Sequence, residues 1–346
     1  METKNNLPIW ASIEITDICN LECPTCPRTE IIKRGDTLTG YLTTDKLDII
    51  KSQLPDLKEI KFQGLGEPFL TPKAHEKFHY LKKLYPNTQV LSITNAAWKD
   101  NVEVEKILQN VDYLYISIDG HDYETFEKFR LKASFEQMVR NVKRIKKLAP
   151  KNLKISINST FNNDTAADLY KCIILAKALG IDNIRFNLIQ NWITESETDA
   201  LKSKRRDFIN NISLSKLETE SLIASVRRMS DLAKLLNVKA QIIGNSDFKI
   251  SDCHWGDKMM YMTQKGEILP CGMRCDPKYS FGNIFKTNIE EIWNSDKMVD
   301  FREMKKSDTP PKICMDCPYL VNSKILKLLN DTTSENLKSD FLYHKL

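Results

Sequence analysis

Ile9-Trp-Ala-Ser-Ile-Glu-Ile-Thr16 is followed at once by Asp-Ile-Cys19-Asn-Leu-Glu-Cys23-Pro-Thr-Cys26, so a strand-like run leads into three thiols on a short loop. The run is rich in Ile and Trp and ends on polar residues, as strands do. Similar runs follow at Glu59–Gln63, Gln89–Thr94, Tyr113–Asp119, Leu153–Thr160 and Asn183–Ile189. Between them, apolar residues recur at helical spacing. Phe126, Phe129, Val139, Val142, Ile145 and Leu148 line one side of the segment that begins at Tyr123, and a helix predicted over Asp164–Leu179 closes at Gly180. Six strand–helix units predict an α/β fold with parallel strands and right-handed crossovers. Periodicity leaves a doubly wound sheet and an incomplete barrel equally open. Both place chemistry on loops beyond the C-terminal strand ends. That is where Cys19 to Cys26, Gly64 to Pro68, Asn95 and Asp119-Gly120 fall.

The 346 residues are 41% hydrophobic and 28% charged, which suits a packed core and excludes wholesale disorder. No apolar run approaches the ~20 residues of a membrane span. The first residues lack a basic stretch followed by an apolar one, so the expected location is cytoplasmic, with no membrane partner. A net charge of +5 from 51 basic and 46 acidic side chains gives no reason to expect nucleic acid. The nine cysteines are Cys19, Cys23, Cys26, Cys172, Cys253, Cys271, Cys275, Cys314 and Cys317. An odd count without an export signal favours thiolate ligands over disulfides.

Residues 191–237 are polar and Lys-rich, with one helical pattern through Leu222, Val226, Met229, Leu232 and Leu236, and Val238–Ile243 is strand-like. A hairpin over Met260–Pro270 turning near Lys265-Gly266 and a helix around Ile289–Met304 follow. The expected organisation is a barrel or sheet over 1–200, a connection over 201–250, a small cysteine-bearing α+β domain over 251–320, and a surface helix with a frayed end over 321–346.

Three sulfurs at the spacing of Cys19, Cys23 and Cys26 can hold three irons of a 4Fe–4S cluster, leaving the fourth iron open to a ligand. Structural zinc wants four ligands, and the nearest histidines, His75 and His79, sit in a helical stretch. The Cys-x3-Cys-x2-Cys loop after a first strand resembles the signature of radical S-adenosylmethionine (SAM) enzymes. That resemblance implies a partial (β/α)6 barrel, a SAM-binding 4Fe–4S cluster and SAM itself. Gln63-Gly64-Leu65-Gly66-Glu67-Pro68 resembles the family's glycine–glutamate motif, and Ser117 within Ile116-Ser-Ile-Asp-Gly120 resembles its strand-four SAM contact. Arg130 is similar to an arginine that meets the SAM carboxylate in related enzymes, and Asn95 joins the cofactor-binding set by its position. Each has a plainer reading: turn glycines at 64 and 66, a turn at Asp119-Gly120, a solvated helix residue at 130, a helix cap at 95. Thr25 departs from the aromatic many members carry before the third cysteine.

Cys253, Gly266 and Cys271, with the distant Cys314-Met-Asp-Cys317, make a four-thiolate set that suits zinc almost as well as a cluster. In the context of the family it resembles the opening of the SPASM and Twitch domains, which hold auxiliary 4Fe–4S clusters. Five cysteines in this region fit the shorter, BtrN-like Twitch form with one auxiliary cluster, with ligands Cys253, Cys271, Cys314 and Cys317 and with Cys275 as the spare, the alternative being Cys275 in place of Cys271. Cys172 reads as a small core residue. With no open iron, the auxiliary cluster would take an electron from a substrate radical, giving net dehydrogenation.

Asn158, Arg185 and Asn187 are candidates to hold a substrate between the clusters, Arg185 and Asn187 sharing one strand face. No catalytic base is identifiable. The first barrel strand begins near Ile9, leaving no room for an N-terminal peptide-binding module, which favours a small hydroxylated molecule: a sugar, aminocyclitol or nucleotide derivative. Peptide modification, sugar epimerisation or decarboxylation, and a zinc-stapled binding protein are the alternatives. A flavodoxin or ferredoxin is the expected electron donor.

Overall fold

A computed structural model of the chain describes residues 7–29, 40–99, 102–189, 219–243, 248–273, 275–315, 317, 320 and 327. Strands β1 (Trp10–Glu14), β2 (Glu59–Gln63), β3 (Gln89–Thr94), β4 (Tyr113–Ser117), β5 (Lys154–Phe161), β6 (Asn183–Leu188) and β7 (Lys239–Ile243) lie side by side in chain order. Every neighbouring pair is parallel. A doubly wound sheet reverses its strand order at a switch point. This one does not, which decides for the partial barrel.

Helices α1 (Thr44–Gln53), α2 (Ala74–Leu84), α3 (Val104–Leu108), α4 (Tyr123–Phe129), α5 (Phe135–Leu148), α6 (Leu169–Ala178) and α7 (Thr219–Leu235) connect the strands and cover them. Alternation along the strands sorts the two faces. In β2, Ile60 and Phe62 are buried in the apolar core while Glu59, Lys61 and Gln63 are half-buried on the other face. In β5, Ile155, Ile157 and Phe161 join the core, whereas Ser156, Asn158 and Thr160 do not. The barrel is apolar outside and polar within. Cys172 lies in the core on α6, as its apolar helix face suggests.

The stripe that begins at Tyr123 belongs to two helices rather than one. Asp122 and Thr125 form a capping box at the start of α4, and Ser134 accepts from the Gln137 amide at the start of α5. Lys132 between them takes a left-handed φ of 72°. The break turns Arg130 toward Asp119 at the end of β4. The region Ile289–Met304 is likewise divided, into α8 (Ile289–Trp293) and α9 (Asp296–Lys306), with Ser295 capping the second.

β8 (Met259–Met262) and β9 (Glu267–Leu269) form the hairpin, with Gly266 at φ 88° in its turn, and β10 (Gly282–Asn283) pairs with β9. β8 also pairs in parallel with β1. Among the described residues the sheet therefore runs β10-β9-β8-β1-β2-β3-β4-β5-β6-β7, and the C-terminal segment continues the barrel's sheet. A short helix α10 (Lys312–Met315) carries Cys314. The 191–218 part of the connection and nearly all of the expected terminal helix over 321–346 lie outside the described residues. Among the described residues no helix is long and apolar enough to cross a membrane.

Candidate active site

The loop after β1 is tied to the loop after β2 by backbone bonds, Gly66 N–H to Thr16 O (3.0 Å) and Glu67 N–H to Ile18 O (2.8 Å). The approach is close enough that a Cβ at Gly66 would lie 2.5 Å from Ile18 O and 2.6 Å from Thr16 O. Gly66 is thus required for loop-to-loop contact, which is more than a turn glycine does. Within the cysteine loop, Cys26 N–H donates to Cys23 O (3.0 Å), the Thr29 hydroxyl to Cys23 O (2.8 Å), and Arg28 Nε to Asp17 O (2.6 Å). Asn95 Nδ2 reaches Cys19 Sγ at 3.7 Å and Asn20 Oδ1 at 3.0 Å, so Asn95 braces the first cysteine. Burial, with the Glu67 carboxylate adding, pushes the Cys19 thiol up to about 11, and burial pushes Cys23 up to about 12.

Glu67 is buried, and its carboxylate accepts from Thr94 Oγ1 (2.6 Å), Asn95 N–H (2.8 Å) and Phe69 N–H (3.3 Å). It therefore locks the end of β3 to the β2 loop. Burial pushes it up to about 7 against those donors. Arg130 Nη2 meets Asp119 Oδ2 at 2.6 Å, and Asp119 Oδ1 accepts from Thr160 N–H at 2.7 Å.

A single cavity of about 450 Å³ is lined by Cys19, Cys23 and Cys26 and also by Cys253, Cys271, Cys314 and Cys317. Gly64, Gly66, Glu67, Asn95, Ser117, Arg130 and Asn158 line it as well. Pro68, Arg185 and Asn187 do not. Pro68 starts a buried single-turn 3₁₀ helix; Asn187 donates to Asn158 Oδ1 (2.8 Å); Arg185 lies over the Tyr115 ring (4.9 Å). Buried Arg130 Nε has no hydrogen-bond partner among the described residues. An orphaned guanidinium nitrogen beside three cysteines fits a carboxylate-bearing cofactor such as SAM.

On the second side, burial raises Cys271, with its neighbours Cys253, Cys314 and Cys317 adding, so these four thiols share one environment. The charged neighbours of Cys275 are instead Glu14, Cys26 and Cys271. The Lys305 ammonium pins the Cys253 loop through Cys253 O (2.7 Å), Trp255 O (2.5 Å) and Asp257 Oδ2 (2.7 Å). Sequence reasoning missed Lys305, Lys61, Tyr261 and His254, all of which line the cavity.

Glu14 joins the two halves: its Oε1 accepts from Tyr261 Oη (2.5 Å) and Leu65 N–H (3.2 Å). Burial pushes Glu14 up to about 7, with those two donors opposing. A carboxyl raised on folding binds more protons folded than unfolded between its two pKa values, so it lowers stability as pH climbs from about 4.5 to about 7. Glu14→Gln keeps both acceptor bonds without that ionisation. The variant is expected to match the parent below that window and exceed it at pH 8 by roughly 3 kcal/mol, read by denaturant unfolding.

The family model of the radical SAM superfamily matches residues 13–176, and that of the SPASM iron–sulfur cluster-binding domain matches residues 253–318. The chain is 23% identical over 297 residues to the antilisterial bacteriocin subtilosin biosynthesis protein AlbA of Bacillus subtilis (strain 168), covering 84% of this chain and 60% of AlbA. It is 23% identical over 326 residues to the sporulation killing factor maturation protein SkfB of the same organism, covering 93% and 73%. Streptococcus suis SuiB bound to S-adenosylmethionine shares the fold at a TM-score of 0.67 and 14% identity, covering 99% of this chain and 78% of that one; SuiB has also been solved bound to precursor peptide SuiA. The chain belongs to the radical SAM superfamily, an enzyme with a C-terminal SPASM domain whose cofactors are SAM, the 4Fe–4S cluster that binds it and auxiliary iron–sulfur chemistry.

Proposed function

We propose that this radical SAM enzyme modifies a peptide, abstracting hydrogen from a carbon of the bound chain. The observation that carries the reading is the one cavity shared by both cysteine sets. The direction toward a peptide is supported by relatives named for bacteriocin biosynthesis and killing-factor maturation, and by SuiB with its precursor peptide. These favour a peptide over the sugar, aminocyclitol or nucleotide derivative that the sequence suggested.

When bound, SAM and its cluster supply a 5′-deoxyadenosyl radical that can take hydrogen from an unactivated carbon, and the auxiliary centre supplies one-electron redox capacity. Cys19, Cys23 and Cys26 would hold the first cluster, and Cys253, Cys271, Cys314 and Cys317 the second. Arg130, oriented by Asp119, would hold the SAM carboxylate through its unpartnered Nε. The Gly64–Glu67 backbone and Ser117 would hold the rest of the cofactor. Leu21, Leu65, Ile93 and Trp255 give the cavity an apolar wall that keeps water from a reactive carbon radical. A flavodoxin or ferredoxin would donate the priming electron.

The test is anaerobic 5′-deoxyadenosine release with reductant, SAM and host-cell extract fractions. A stimulating fraction should lose its effect after exhaustive proteolysis. If stimulation survives digestion to amino acids, a small-molecule dehydrogenase replaces this reading.

A further inference from the structure

We propose that Asn95 tunes the first cluster: its side-chain amide donates to the sulfur of Cys19 and so raises the reduction potential of the centre held by Cys19, Cys23 and Cys26. The proposal rests on Cys19 as a ligand of that centre and is independent of what the substrate is.

Cys19 Sγ has two N–H donors, Leu21 N–H at 3.5 Å and Asn95 Nδ2 at 3.7 Å. The first belongs to the cysteine loop itself. The second comes from the end of β3, 76 positions away, and a set of contacts aims it. Asn95 Oδ1 accepts from Ala97 N–H (2.8 Å), which fixes the two ends of the amide and turns Nδ2 to Cys19 Sγ and Asn20 Oδ1. The Asn95 backbone N–H is held by Glu67 Oε2 (2.8 Å). Ala96, next in the chain, is buried with a left-handed φ of 51°, a conformation that a residue with a Cβ keeps only where its surroundings impose it. Here they do. Ala96 N–H donates to Thr94 Oγ1 (3.1 Å), and Asn141 Nδ2 of α5 holds Ala96 O (2.8 Å) and Trp98 O (2.7 Å). The plainer role of helix cap does not apply, because α3 starts only at Val104.

In the thiol form, Cys19 Sγ also lies 3.9 Å from Asn20 Oδ1 as a donor. A sulfur that ligates iron is a thiolate and can only accept. Both N–H groups then meet a charged acceptor, where hydrogen bonds are strongest. An added electron makes the ligand sulfurs more negative, so the same N–H stabilises the reduced state more than the oxidised one, and the potential rises. Burial of Asn95 keeps water from replacing the bond. The consequence is that a weaker one-electron donor suffices to prime the enzyme.

The test is an anaerobic redox titration of the cluster-loaded chain without SAM, following by electron paramagnetic resonance the reduced signal that SAM perturbs when added afterwards. Asn95→Leu should shift the equilibrium about tenfold toward the oxidised state, which for one electron is about 59 mV lower. Asn95→Asp keeps an acceptor for Ala97 N–H but offers the sulfur no N–H, and should fall at least as far. Both should keep parental iron. In chains carrying asparagine labelled in its side-chain nitrogen, the parent's reduced signal should show a nitrogen coupling that Asn95→Leu lacks. An unchanged potential in both variants, or a coupling that survives in Asn95→Leu, overturns the proposal. Loss of the first cluster from both variants overturns it too, by making Asn95 a structural brace, and an unchanged potential with a lost response to SAM overturns it by making Asn95 a cofactor contact. A Cys19→Ala chain that keeps the first cluster would instead strike the ligand assignment, and the tuning role with it.

Discussion

Cys19→Ala, Cys23→Ala and Cys26→Ala combined in one chain are expected to lower iron from about eight to about four atoms per chain and to bring SAM cleavage down to the level of a protein-free control. The three thiols stand on one loop between β1 and the Thr29 hydroxyl that holds Cys23 O, and all three are half-buried on the cavity wall. Their removal takes little from the core, since β1 is held by β2 on one side and β8 on the other. Far-ultraviolet circular dichroism should therefore match the parent while the chemistry is gone. Cys275→Ser is the informative control. Cys275 is buried beside Glu14 and Cys26, and its replacement should leave iron near eight. Full SAM cleavage by the triple variant would remove the basis for assigning the first cluster to this loop. An iron loss in Cys275→Ser equal to a whole cluster would move a ligand of the second set.

The cysteine loop and the strands were legible because their signals are local. Glu59–Gln63 and Gln89–Thr94 have in the structure the bounds their composition implies. The helix breaks had local signals too, namely Asp122 three residues before Thr125 and Ser134 three before Gln137, but an apolar stripe continuing across both helices masks them. Arg130 reads as a solvated helix residue because its partner, Asp119, is brought to it only by that break. Alternation assigned Arg185 and Asn187 to one strand face but carries no information on depth, and both fall outside the cavity lining. The same alternation along Glu59-Ile-Lys-Phe-Gln63 marks Lys61 as inward, a signal hidden by the habit of treating lysine as solvated. The pairing of β8 with β1 joins residues some 250 positions apart, and no local pattern encodes it. Its one trace is that all four residues of Met259–Met262 are buried, as expected of a strand covered on both faces.

Lys305→Met is expected to strip the second cluster while sparing the first. A lysine in the last turn of a helix such as α9 ordinarily complements the C-terminal dipole from the surface. The position of Lys305 contradicts that. Met298, Phe301 and Lys305 are the buried residues of α9, so the lysine occupies a core position of the stripe, with its side chain 1% exposed. The ammonium has three donors and meets three acceptors: Cys253 O, Trp255 O and Asp257 Oδ2. Methionine matches the length and satisfies none of them. Two half-buried carbonyls and a carboxylate lose their partner, where a fully buried pair would lose about 3–5 kcal/mol. Asp257 keeps 25% of its side chain exposed, and water relieves part of the loss, so about 2–4 kcal/mol is expected. The damage concentrates on the turn that carries Cys253, because two of the three acceptors belong to it. Iron should fall toward about four per chain, with the spectrum of the remaining cluster still perturbed by SAM. Adding Asp257→Leu removes the stranded carboxylate and should recover part of the stability without recovering the iron, since the two carbonyls still lack their donor. A Lys305→Met chain that keeps about eight irons and the parental unfolding midpoint would show that the Cys253 loop holds its shape without the buried ammonium.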